Sequence, residues 1–120
     1  MAKEMSTRVF VPLTTRAYEW FMSGSKEYEL RRARRQFRPE NLRRGRDVEL
    51  RRGYSGASIW GSVGDVVVAD DLGSIFASIE YTRVVPDASS MEDAIQTAIQ
   101  FVGENGPYVA FEVQQNRSQQ

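Results

Sequence analysis

Apolar residues recur along the chain at two spacings, alternate positions in some stretches and every third or fourth in others, and the switches between them mark out its elements. Residues 8–13, Arg-Val-Phe-Val-Pro-Leu, have the β-branched and aromatic content of a strand, with Pro12 at its end or on a sheet edge. Thr14 or Thr15 then offers an N-cap for a short helix over 16–23. Ala17, Trp20 and Phe21 form its apolar face, Trp20 and Phe21 are expected in the core, and Gly24 is placed to end the helix. Residues 26–30 read as a second strand that runs into an arginine-dense stretch containing Phe37 and Pro39, and residues 40–44 are a helix candidate or simply loop.

Residues 47–52 alternate cleanly. Val48 and Leu50 point to one side and Asp47, Glu49 and Arg51 to the other, the pattern of a half-buried antiparallel strand with its charged residues toward water. After a turn at 53–56, residues 57–69 carry Ile59, Trp60, Val63, Val66, Val67 and Val68, interrupted by Gly61 and Gly64, and glycines inside a strand pattern suggest a bulge or a barrel bend. Residues 70–73 read as a turn. Residues 75–88 suit a short helix or a strand, stopped at Val84-Val85-Pro86. The clearest helix follows: Ser90 with Asp93 makes a capping-box-like start, Met91, Ala94, Ile95, Ala98, Ile99 and Val102 form one stripe, and Gly103 closes it. Residues 108–113 are the last strand, and residues 114–120 read as a loose polar tail. Strands with glycine turns and two main helices predict an α+β domain built on a small, strongly bent barrel of five to six strands, one domain over residues 1–113.

Composition removes whole classes of chemistry. The 120 residues contain no Cys and no His. No disulfide, thiolate nucleophile, imidazole base or HExxH zinc helix is therefore available, and acid–base work falls to carboxylates, Lys or Tyr. No cofactor and no metal is expected; the adjacent carboxylates Asp70 and Asp71 are too few to hold an ion. The start of the chain lacks a signal-peptide core and no apolar run approaches a membrane span, so a cytoplasmic or nucleoid-side protein is expected.

Net charge is zero, from 16 basic and 16 acidic residues, but its distribution is uneven. Residues 26–52 carry eleven basic and five acidic side chains, a net of +6, while residues 53–120 carry two basic and nine acidic, a net of −7. Such polarity points to a nucleic-acid or phosphate partner.

The stretch Gly24-Ser25-Lys26-Glu27-Tyr28-Glu29-Leu30-Arg31, followed by Leu42 and the turn Gly45-Arg46-Asp47 into the next strand, resembles the ASCH domain family of the PUA-like superfamily. Its G-x-K-x-x-E-x-R strand is matched by Lys26, Glu29 and Arg31, whereas its Gly-Asp turn is interrupted here by Arg46. The resemblance covers roughly residues 8–113 and implies a pseudo-barrel with a cleft beside the Lys-Glu-Arg strand, in a family associated with RNA. Some members hydrolyse N4-acetylcytidine with a Lys, a Thr three residues on and a Glu ahead of the last helix, and others are linked to ribonuclease activity. On this chain the Lys matches Lys26, the Thr position holds Glu29 without a hydroxyl, and the acid falls near Asp87.

Lys26, Glu29 and Asp87 are thus the catalytic candidates. A desolvated Lys26 would act as a base, whereas a neighbouring carboxylate would keep it charged as an anchor for phosphate or carbonyl groups. Positions three apart on a regular strand face opposite sides, so Lys26 and Glu29 meet only if the chain turns near Gly24; otherwise they are solvated edge charges. Arg31, Arg32, Arg34, Arg35 and Arg46 are candidate phosphate ligands, with Tyr28, Phe37, Tyr54 and Trp60 nearby for base stacking, and the competing picture is a solvated charged face. Tyr54 and Ser55 form a candidate contact in the 53–56 turn, for which a plain hairpin turn is the favoured reading. Gly61-Ser62-Val63-Gly64 lacks the Gly-Lys-Ser/Thr of a P-loop, and Asp87 is either a helix-start residue or a site acid.

Three functions remain open at this point. The first is an RNA- or nucleotide-binding domain using the basic cleft, the second a metal-independent hydrolase in the same cleft acting on a modified nucleoside or RNA, and the third a module docking an acidic protein. The sequence leaves the oligomeric state undetermined.

Overall fold

The computed structural model describes residues 8–116. Five strands, β1 (Val9–Leu13), β2 (Tyr28–Arg32), β3 (Asp47–Arg52), β4 (Ser58–Ala69) and β5 (Tyr108–Gln115), and three helices, α1 (Thr15–Ser23), α2 (Leu72–Ser78) and α3 (Met91–Val102), make up the chain. The strands form one sheet in the order β1-β3-β4-β5-β2, with β1 parallel to β3 and every other pair antiparallel. This is a mixed half-barrel of α+β class, as the alternation and glycine pattern predict.

The bend resides in β4. Its first half pairs with β3, its second half with β5, and the register with β5 shifts between Val63 and Val66. Gly61 is obligatory because a Cβ there would stand 2.6 Å from the Gln114 carbonyl oxygen. Curvature brings the two sheet edges, β1 and β2, within reach of one side chain: Arg31 Nη2 on β2 donates to the Pro12 carbonyl on β1 at 2.7 Å. Gln36 Nε2 likewise donates to the Phe10 carbonyl at 3.0 Å. Two carbonyls of an exposed edge are thereby satisfied without another strand.

The alternation of β5 divides the core in two. Val109, Phe111 and Val113 pack with Val9, Val11, Val48, Leu50, Phe21 and Leu42 on one face. Tyr108 and Ala110 pack on the other with Leu72, Ile75 and Phe76 of α2 and with Ala94, Ala98 and Val102 of α3. Helix ends follow local chemistry. Thr14 caps α1 by accepting from Ala17 N at 3.2 Å, and Gly24 closes it with φ +84°. Ser90 caps α3 by accepting from Asp93 N at 3.1 Å, while the Asp93 carboxylate reaches back to Ser89 N at 2.9 Å, one residue before the reciprocal position of a capping box.

Several boundaries differ from the sequence expectation. The ambiguous 75–88 stretch resolves into α2, capped by Asp71, and a 3₁₀ turn at Tyr81–Arg83, giving a third helix. The 40–44 helix candidate is not an α-helix: Glu40 and Asn41 fall in the second of two 3₁₀ turns, Arg35–Phe37 and Pro39–Asn41, and residues 42–44 are loop. β2 starts at Tyr28 rather than residue 26, and β5 runs on to Gln115. The expectations for residues 1–7 and for residues 117–120 of the tail lie outside the described residues. Among the described residues no helix is long and apolar enough to cross a membrane.

Candidate functional site

Lys26 sits between α1 and β2, in the short turn that Gly24 makes possible. Its backbone N–H donates to the Trp20 carbonyl at 3.1 Å, which folds the chain back on the helix end before the strand begins. This early turn lets positions 26 and 29 share one side. Lys26 Nζ lies 3.6 Å from Glu29 Oε1, donates to the Val84 carbonyl at 2.5 Å and stands 5.5 Å from the centre of the Phe21 ring. Glu29 Oε2 accepts from Arg31 Nε at 2.6 Å, since residues 29 and 31 project from the same face of β2. The guanidinium stacks over Phe37 at 4.9 Å.

Lys26 and Glu29 are only 6 % and 7 % exposed, so a full ion-pair arrangement has been drawn into the protein. Burial pushes the Lys26 ammonium below the ordinary lysine value; the Glu29 carboxylate opposes that push and Arg31 reinforces it. The Lys26 ammonium donates to the Val84 carbonyl and is held to Glu29 as an ion pair, while Arg31 Nη1 makes no hydrogen bond among the described residues.

These three side chains line a cleft of about 470 Å³ between α1, the end of β1, β2 and α3. Its walls are mostly apolar: Pro12 and Leu13, Ala17 and Trp20, Val84 and Val85, and Ala98, Phe101 and Val102. Polar groups enter from Thr14, Arg16 and Thr97. An apolar slot with a few fixed charges is the form small-molecule sites take, and the volume lies within their usual range of roughly 300 to 1,000 Å³.

Three cleft residues escape the sequence reading. Phe101 is 68 % exposed at the edge of the apolar stripe of α3, three residues after Ala98 and seven after Ala94, while Thr97 precedes it by one helical turn on the same side. A large aromatic on the stripe edge, beside a face of small alanines, is the available signal. Trp20, expected in the core with Phe21, is only partly buried: Phe21 is fully enclosed, and Trp20 forms cleft wall.

The other candidates lie elsewhere. Asp87 does not join Lys26 and Glu29; it is exposed and pairs with Arg16 Nη1 at 3.5 Å on the rim, because Pro86 and the turn before α3 carry it outward. Arg32 Nε donates to the Asn105 carbonyl at 3.2 Å, and Arg46 donates to the Asn41 carbonyl. Arg34 and Arg35 are exposed on the β2–β3 connection, where Arg35 takes φ +56° and its carbonyl accepts from Asn41 Nδ2 at 3.1 Å. Tyr54 and Ser55 are at the β3–β4 hairpin, away from the cleft lining, and the Tyr54 ring is 6.3 Å from that of Phe10. Neither Tyr28 nor Phe37 is free to stack on a base: Tyr28 is buried in the α2–α3 core, and Phe37 stacks on Phe111.

Glu49, expected to face water, is 2 % exposed. Burial alone would push its carboxyl up, but hydrogen bonds from Ser58, Arg8 and Arg51 outweigh burial and hold its pKa at about 2. The residues line the outer face of the half-barrel: Arg8 Nε donates to Glu49 Oε1 at 2.7 Å, and Ser58 Oγ and Arg51 Nε donate to Oε2 at 2.6 and 2.9 Å. Among the described residues no group of three carboxylates is placed to hold a metal ion.

Solved structures share this fold. The hypothetical protein PH0355 superposes with a TM-score of 0.75 at 18% identity, over 91% of this chain and 99% of its own. Protein PF0455 from Pyrococcus furiosus gives 0.64 at 17% identity, over 92% and 98%. A tyrosine-to-phenylalanine mutant of ZmASCH from Zymomonas mobilis gives 0.60 at 16% identity, over 90% and 69%. The chain therefore has the ASCH-type fold that its Lys-x-x-Glu-x-Arg strand resembles, and at these identities the likeness is one of fold. No protein-family model and no curated protein matches the sequence.

Proposed function

We propose that the cleft binds one nucleoside unit of RNA, or a free nucleotide. The observation that carries this reading is that the ion-paired Lys26, Glu29 and Arg31 line one mostly apolar slot together with Trp20 and Phe101. A nucleobase presents two flat faces and an edge of donors and acceptors. Aromatic walls suit the faces, and a fixed carboxylate beside two cations suits the edge and the phosphate. An ASCH-type, PUA-like fold is consistent with RNA as the source of that nucleoside.

One observation favours a second reading, hydrolysis of an acylated nucleoside in the same cleft. Burial lowers the Lys26 pKa, which raises the fraction of free amine able to take a proton from water. As Lys26 takes a proton from water, the oxygen would add to the acyl carbon, the bond from that carbon to the amino nitrogen of the base would break to release the carboxylic acid, and the departing nitrogen would take the proton back from Lys26. Asp87 is absent from the cleft lining, so Glu29 would have to serve both as positioning group and as relay. Binding is accordingly the preferred reading.

Calorimetric titration with cytidine 5′-monophosphate and with a single-stranded RNA oligomer tests it. Arg31→Ala and Lys26→Met each lower affinity for both at least tenfold; unchanged affinity in both variants would exclude the cleft. Incubation with N4-acetylcytidine tests the second reading, through acetate release that Lys26→Met abolishes.

A further inference from the structure

Outside the cleft, the outer face of β1, β3 and β4 carries a feature the cleft does not explain. Phe10, Glu49 and Trp60 stand opposite one another across the three strands. Tyr54 at the hairpin adds a ring 6.3 Å from Phe10. Trp60 and Tyr54 are 44 % and 76 % exposed, although aromatic rings of this size are ordinarily sheltered. The carboxylate between them repels nothing, because Arg8 and Arg51 neutralise it and their guanidinium groups lie 5.5 and 5.0 Å from the Phe10 ring.

Beside this face lies a charged loop. Arg34, Arg35 and Arg38 are exposed, and their side chains make no hydrogen bond or ion pair among the described residues. Gln36, in the middle of the three, is bonded to the Phe10 carbonyl, so the loop is pinned along the edge of β1. The same strand ends at Pro12 and Leu13 in the cleft wall. The arginine loop and the aromatic row therefore both meet β1 at Phe10, two residues before the strand enters the cleft wall.

We propose that this outer face is a second binding surface, which holds single-stranded RNA continuing from the nucleotide in the cleft: phosphates meet Arg34, Arg35 and Arg38, and bases stack on Phe10, Tyr54 and Trp60. The proposal rests on the cleft reading for the start of the strand, but its residues are separate. Exposed rings at Tyr54 and Trp60, beside a loop whose Arg34, Arg35 and Arg38 make no ion pair among the described residues, fit a chain of bases and phosphates, because every base has a face to stack. An acidic peptide would use the charges and leave the rings unused.

The protein's two tryptophans separate the surfaces, since Trp20 lines the cleft and Trp60 lies on the outer face. Trp60→Phe leaves fluorescence from Trp20 alone, and Trp20→Phe leaves it from Trp60 alone. Uridine 5′-monophosphate is expected to perturb Trp20 only, while a twelve-nucleotide oligouridylate perturbs both. In the triple variant Arg34→Gln, Arg35→Gln, Arg38→Gln, affinity for the oligomer falls about tenfold at moderate salt. The slope of log affinity against log salt falls by about 2, at roughly 0.7 per phosphate contact on a single strand. Monophosphate binding at Trp20 is unchanged.

If the oligomer binds and Trp20 responds while Trp60 and the triple variant do not, the outer surface is refuted and the cleft stands. If Trp60 responds and Arg31→Ala has no effect on either probe, the cleft reading fails and the outer surface stands alone. Equal quenching of Trp60 by poly-L-glutamate would assign the surface to acidic protein and overturn the proposal.

Discussion

Lys26 Nζ stands 3.6 Å from Glu29 Oε1 across a turn that ends before β2 begins. The pair is buried, and only the Val84 carbonyl and the Arg31 guanidinium complete its bonding. Removing one member of a buried ion pair costs roughly 3 to 5 kcal/mol when the other charge is left alone, and here Glu29 keeps Arg31. Lys26→Met is therefore expected to lose about 1 to 3 kcal/mol of stability in urea at neutral pH, while losing nucleotide binding. A loss of more than about 5 kcal/mol would make Lys26 a structural tie to Val84.

The same group sets a pH dependence at the alkaline end. Burial lowers the folded-state pKa of Lys26 below its unfolded value, so the unfolded chain binds more protons between the two. The contribution of Lys26 to stability thus rises as pH rises through that window. Urea midpoints measured from pH 8 upward, compared between the parent and Lys26→Met, isolate it: the difference shifts in favour of the parent with rising pH, and a difference that is flat or moves the other way contradicts the assignment.

Glu49 governs the acid end with the opposite sign. Its carboxyl is held at about 2 against an ordinary 4.5, so its stabilisation is complete above 4.5 and is lost as pH falls toward 2. One pKa unit is worth about 1.4 kcal/mol, which makes the loss about 3 kcal/mol. Glu49→Gln leaves Arg8 and Arg51 without their shared carboxylate, destabilises the protein by roughly 2 to 4 kcal/mol at pH 7 and flattens the acid limb. Denaturant midpoints between pH 2 and 7 check it, and equal acid limbs in the two proteins would show that Glu49 is not the group concerned.

Asp87 and Arg16 pair in the open, with side chains 57% and 72% exposed. Exposed pairs contribute about 0 to 1 kcal/mol. Asp87→Asn is expected to leave stability within about 0.5 kcal/mol and to release Arg16 toward the cleft, so that affinity for a nucleotide stays level or rises. A tenfold loss of affinity would return Asp87 to the binding site.

Legibility in the sequence tracked how local the cause was. Caps and turns were legible, because Thr14, Gly24 and Ser90 act on their own neighbours; so was the bend of β4, where Gly61 and Gly64 interrupt an apolar run. Lys26, Glu29 and Arg31 were found through a short motif, and the turn that Gly24 permits brings the first two together. Position relative to distant strands was invisible. Glu49 alternates like a solvated charge and is buried, because its partners Arg8 and Ser58 come from β1's edge and from β4. Asp87 stands at the expected place in the chain but is turned outward, and Tyr54 sits at the β3–β4 hairpin outside the cleft lining. Phe101 and Trp20 became cleft walls only once α1 and α3 were placed on either side of β2.

Backbone amide shifts recorded while a single-stranded RNA oligomer is added to the ¹⁵N-labelled protein test the binding cleft most directly. The amides of Ala17, Trp20, Lys26, Glu29, Arg31, Thr97 and Phe101 are predicted to move together and to saturate at one concentration. Saturable binding that leaves all of these resonances in place would contradict a nucleotide site at Lys26, Glu29 and Arg31.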